Sequence, residues 1–129
     1  MITGAHFLIY SPDPERDRAF FRDVLELRSV DAGGGWLIFA LPPAELGVHS
    51  LDGEFVQRHA DFDLLGAVLY LTCADIHAAV RTLQERRVRC TPVSKAEWGL
   101  FSIMSLPSGG RIGLYEPSHN TAFESPSER

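Results

Sequence analysis

The chain has no long apolar run, no basic cluster of any length and only two cysteines in 129 residues. Each shortage excludes a class of function. A membrane-spanning helix needs about 20 consecutive apolar residues, and no stretch here approaches that. The apolar segment near the N-terminus lacks a preceding basic region and is too short for a signal peptide. Twelve Lys and Arg against seventeen Asp and Glu leave a net charge of −5, which argues against nucleic acid as a partner. The densest basic spot, Arg86, Arg87 and Arg89, falls at the end of a predicted helix, where cations complement the carbonyl end of the dipole. Cys73 and Cys90 make no disulfide framework, so free thiols in a reducing cytoplasm are expected.

What is present is ordinary for a globular domain: 45% hydrophobic and 22% charged residues. It is arranged twice over. His6-Phe7-Leu8-Ile9-Tyr10 reads as a strand and is followed by a helical run from Arg16 to Leu27. Asp13 suits its N-cap and Pro14 its first position. Ala19, Phe20, Val24 and Leu27 recur at helical spacing. Some sixty residues later Val68-Leu69-Tyr70-Leu71-Thr72 reads as a strand. Asp75 caps a helix from Ile76 to Arg87 with Ile76, Ala79, Val80 and Leu83 as its apolar stripe. Each half closes on short strands broken by Gly and Pro: Arg28–Asp31, Trp36–Leu41 and Glu45–His49 in the first, Val88–Val93, Trp98–Leu106 and Arg111–Glu116 in the second. The pattern predicts an α+β fold of two βαβββ modules enclosing a cleft, one domain overall. The modules span 1–50 and 67–117, with a linker at 51–66 and a polar tail at 118–129 that hangs loose or wraps over a neighbour.

Two segments invite sharper readings. Gly33-Gly34-Gly35 has the glycine content of a phosphate cradle, but no strand-to-helix context follows, so a hairpin turn is expected. Arg58-His59-Ala60-Asp61-Phe62-Asp63 gathers a His and two carboxylates without regular ligand spacing, so a solvated loop is expected rather than a metal site.

The opening strand with Arg18-Ala-Phe-Phe-Arg-Asp-Val-Leu-Glu-Leu27, and the ending Leu106-Pro-Ser-Gly-Gly-Arg-Ile-Gly-Leu-Tyr-Glu-Pro117, resemble the vicinal-oxygen-chelate superfamily of glyoxalase I, extradiol dioxygenases and bleomycin-resistance proteins. The resemblance covers residues 2 to about 118. It implies metal ligands at four positions, on the first and last strands of each half. His6, fourteen residues before Phe20, matches the first. The other three fall on Val68, Gly47 and Gly113, which carry no donor side chain. Catalytic zinc sites take about three protein ligands, so no metal and no cofactor is expected. His6, Glu45 and His49 offer the alternative of a rearranged metal site.

Alternation along the strands then names the cleft. With His6 inward, Tyr10, Glu45, His49, Tyr70, Arg111 and Tyr115 face it as well, around the bare backbone of Gly47 and Gly113. Leu46, Val48, Leu69, Leu71, Ile112 and Leu114 face the helices. Trp36 and Trp98 line either the cleft or the core. Aromatic faces with a few polar groups suit a small planar organic ligand. The expected protein is a cytoplasmic homodimer that binds such a molecule without metal, for sequestration or sensing. The rivals are a lyase- or isomerase-type enzyme using His6 or His49 as acid–base, the rearranged metal enzyme, and an interaction module with a collapsed cleft.

Overall fold

A computed structural model of the chain describes residues 6–48 and 53–122. The protein is an α+β fold with two helices and eight strands among the described residues. It divides into two units, Met1–Leu41 with Ser105–Arg111, and Pro42–Met104 with Ile112–Arg129.

In the first unit, helix α1 spans Pro14–Asp23. The Asp13 side chain accepts a hydrogen bond from the Arg16 amide, Pro14 takes the first turn, and Glu15 and Asp17 set negative charge at the positive end of the dipole. The helix ends earlier than its apolar stripe suggests. Glu26 adopts a positive φ of 58°, and the Leu27 amide turns back to the Phe21 carbonyl. Phe20 and Phe21 are buried in edge contact, with Phe21 against Phe39 at 5.7 Å. Strands β1 (Ser29–Asp31) and β2 (Leu37–Phe39) pair antiparallel across the triple glycine. The Asp31 carboxylate accepts from the amides of Gly33 and Gly35. The chain's own anion thus occupies the donors that a phosphate would need.

The turn at 105–111 groups with α1, and a buried carboxylate ties the two together. Asp17 is 3% exposed, and its carboxylate accepts from the Ser108 amide at 3.1 Å and the Ser108 hydroxyl at 2.7 Å. Burial of a carboxylate demands such partners.

In the second unit, β3 (Val56–His59) and β4 (Phe62–Leu65) form an antiparallel hairpin where the sequence suggests a loop. Ala60 and Asp61 both have positive φ, the signature of a type I′ turn, without the usual Asn-Gly. Arg58 pairs with Asp63 across it at 3.0 Å. The main sheet contains β5 (Tyr70–Thr72), β8 (Arg111–Pro117), β7 (Gly99–Ser105) and β6 (Ser94–Ala96), in that order. β5 runs parallel to β8, with Tyr70 opposite Gly113 and Thr72 opposite Tyr115. β6 and β7 are antiparallel.

Helix α2 (Ile76–Glu85) starts on the Asp75 cap, with the Ile76 amide also donating to Glu116. It closes with Arg87 at a φ of 65°, and the amides of Arg87 and Val88 return to the carbonyls of Gln84 and Leu83. That is a Schellman closure, with buried Val88 and Leu83 as its apolar pair. Ile76, Val80, Leu83, Val88, Met104, Ile112 and Leu114 are the buried hydrophobic residues of this unit.

Three strand expectations fail. Residues 6–10 and 44–48 belong to no strand, and Leu46 and Val48 are each 90% exposed rather than turned to a helix. Residues 88–93 contribute only the bridge of Cys90 to Met104. An apolar alternation fits a strand but supplies no ladder partner, and a strand exists only through its partner.

Candidate functional site

The parallel pairing of β5 and β8 sets Tyr70 and Tyr115 on one face of the sheet, as alternation predicts. Their rings meet edge to face at 5.4 Å. Trp98 completes a trio, edge-on to Tyr70 at 5.6 Å and to Tyr115 at 5.5 Å, and it stacks on Phe101 at 5.1 Å. Edge contacts of this kind match the quadrupoles of the rings. The trio is not sealed: Trp98 is 39% exposed, and Tyr70 and Tyr115 are half-buried.

Trp98 reaches this face through a backbone device. In a straight strand, residues three apart point to opposite faces. Gly99 has a φ of 148°, and a Cβ there would collide with the Glu116 carbonyl. The close approach and the turn at Gly99 bring Trp98 round onto the Phe101 side. Period-two reading could not place it.

Glu45 is the polar end of the cluster. One carboxylate oxygen accepts from the Tyr115 hydroxyl at 3.3 Å and the other from the Ala122 amide at 2.7 Å. His119 Nε2 lies 3.4 Å from the Tyr115 hydroxyl and 3.9 Å from Glu45. Ser118 donates its hydroxyl to the Glu97 carbonyl and its amide to that of Trp98. The first five residues of the expected loose tail are therefore folded back along the aromatic cluster, with Thr121 buried. No sequence signal marked His119. Burial, followed by the charge of Glu45 and the hydrogen bond to it, holds the Tyr115 phenol above its ordinary range. Tyr115 is thus a neutral donor at physiological pH.

His6 and Tyr10 belong to the first unit and are exposed, and Arg111 opens β8, also exposed. His49 lies outside the described residues. The thiols are poor nucleophiles. Burial first, then the charges of Glu116 and Asp75, push Cys73 up to about 11, and burial raises Cys90.

Positions 68 and 113 do not fit a metal ion. The side chain of Val68 has no donor atom. At Gly113 the difficulty is spatial as well, since a Cβ there would land on the Cδ1 and Cε1 atoms of the Tyr70 ring. An aromatic ring occupies the room that a ligating side chain would need. Among the described residues no three His, Cys, Asp or Glu side chains gather within reach of one ion.

Solved structures share this fold. The antibiotic binding protein TnmS3 from Streptomyces sp. CB03234 is 23% identical, over 92% of this chain and 99% of its own, with a TM-score of 0.60. Lactoylglutathione lyase from Agrobacterium tumefaciens is 13% identical over 88% of this chain and 92% of its own, also with a TM-score of 0.60. The fosfomycin resistance protein FosX from Mesorhizobium loti is 13% identical over 99% of this chain and 98% of its own, with a TM-score of 0.51. No curated protein sequence matches the chain significantly. The model of the Glyoxalase/Bleomycin resistance protein/Dioxygenase superfamily matches residues 4–122, and the chain belongs to that superfamily.

Proposed function

We propose that this chain is a homodimeric, metal-independent binding protein of the cytoplasm that takes a planar aromatic organic molecule and sequesters or senses it. The observation that carries the reading is the half-exposed trio of Tyr70, Trp98 and Tyr115, with the Glu45 carboxylate beside it. Aromatic walls with few convergent polar groups suit flat ligands. Metal independence rests on Val68, Gly47 and Gly113, which supply no donor. The fold it shares with an antibiotic binding protein makes an antibiotic-like ligand the first class to try. Free, unreactive thiols at Cys73 and Cys90 suit a reducing compartment. Unladdered apolar segments at 6–10 and 44–48 favour a second copy as partner.

The test combines thermal-shift screening of polycyclic aromatic antibiotics with elemental analysis. A true ligand at a hundredfold excess over its Kd should stabilise the fold by about 2.7 kcal/mol. Tyr115→Ala should reduce that shift more than Arg87→Ala. Zinc, nickel, iron and manganese should stay well below one equivalent. A stoichiometric metal lost on His6→Ala would replace this reading with the rearranged metal enzyme.

A further inference from the structure

Tyr70 and Gly113 face each other across the parallel β5–β8 pair. The ring of Tyr70 lies over the bare backbone of Gly113, so any Cβ at 113 would overlap it. In this place the ring also makes its edge contacts with Trp98 and Tyr115. Gly113 has no positive φ. Backbone conformation therefore does not require glycine there, and the space taken by the ring does. The neighbours Ile112 and Leu114 are buried and point to the opposite face, which leaves residue 113 committed to the aromatic side.

We infer that Tyr70 and Gly113 act as a single specificity element: the ring seated on glycine fills the place of a donor side chain and presents an aromatic wall, so that the site admits flat aromatic ligands and cannot seat a metal at this strand. The inference rests on the binding function proposed above, but its structural part stands separately. A side chain at 113 expels the ring, and loss of the ring makes a side chain at 113 tolerable. Tyr70 positions the other two rings through direct edge contact, so its displacement also disturbs Trp98 and Tyr115.

The test uses the full chain carrying Trp36→Phe, which leaves Trp98 as its sole tryptophan. Into it are placed Gly113→Ala, Tyr70→Ala and both together. Near-ultraviolet circular dichroism reads the coupled rings, thermal unfolding reads the fold, and quenching of Trp98 by 1,8-dihydroxyanthraquinone reads binding. Gly113→Ala should lower the melting temperature and lose the same aromatic band as Tyr70→Ala. In the Tyr70→Ala background, adding Gly113→Ala should cost little further. Each single change should weaken binding of the probe at least tenfold, and the double change no more than the worse single. If Gly113→Ala alone does not fold, the double variant should recover folding, because the overlap is gone. A Gly113→Ala protein that keeps its aromatic band and melting temperature would overturn the inference, as would additive losses. Should the aromatic band and the rescue follow expectation while the probe fails to quench Trp98, the seated ring stands. The planar-ligand reading then falls, and the ligand class inferred here falls with it.

Discussion

Cys73 shows how far a single residue's chemistry is set by its surroundings. Its thiol contacts the Tyr115 carbonyl, and burial with the charges of Glu116 and Asp75 pushes it up to about 11. An unfolded thiol titrates near ~8.5. The neutral form is thus favoured in the fold, and the stability it contributes is complete below the unfolded value and lost as pH rises through about 11. Iodoacetamide should label Cys73 slowly at pH 8 in the native protein and at the rate of a free thiol once urea unfolds it. Rapid native labelling, followed by peptide mass spectrometry, would mean that the thiol is activated. In the sequence, Cys73 reads as a free thiol. The carboxylates that disfavour its thiolate come from Asp75, two residues on, and from Glu116 on another strand, and only the nearer of these is visible in one dimension.

At the scale of elements, the caps were the most legible features. Asp13 with Pro14, and Asp75, start their helices as the sequence proposes, because a cap depends on residues within one turn. The hairpin of β3 and β4 was not legible. Its turn uses Ala60 and Asp61 at positive φ, and neither residue advertises it. The anchoring of the 105–111 turn to α1 was likewise hidden, since Asp17 and Ser108 stand 91 positions apart. Asp17→Ala should cost about 1.5–3 kcal/mol, the range for hydrogen bonds to a charged group. Asp17→Asn should keep part of it. Urea unfolding at constant m-value measures both. A loss under about 0.5 kcal/mol, the level of an ordinary surface substitution, would show that the carboxylate is not holding the turn.

For the whole molecule, the exposed apolar side chains set the question of assembly. Leu46, Val48 and Leu65 are each 90% exposed, and Phe62 and Val68 each 69%. Exposed apolar side chains that join into one patch suit a partner surface. Residues 6–10 and 44–48 add apolar segments that enter no ladder, and a partner chain covers such segments most simply. Light scattering coupled to gel filtration should give twice the 14.3 kDa chain mass. Leu46→Glu or Leu65→Glu should shift the protein toward monomer and lower its melting temperature. A wild-type monomer at high micromolar concentration would refute the dimer.

The sequence by itself determined the α+β class, both helices with their caps, the glycine hairpin and the shared face of Tyr70 and Tyr115. All of these follow from periodicity and from contacts within a few residues. That Val68, Gly47 and Gly113 carry no donor side chain is likewise a matter of residue type. Only the tertiary structure decided that Trp98 joins the two tyrosines, that His119 closes the cluster beside Glu45, and that Tyr70 lies on Gly113. Each of these depends on a backbone bend or on a contact between distant strands. Alternation along one strand assigns a face, but it carries no information about which ring will fill a given space.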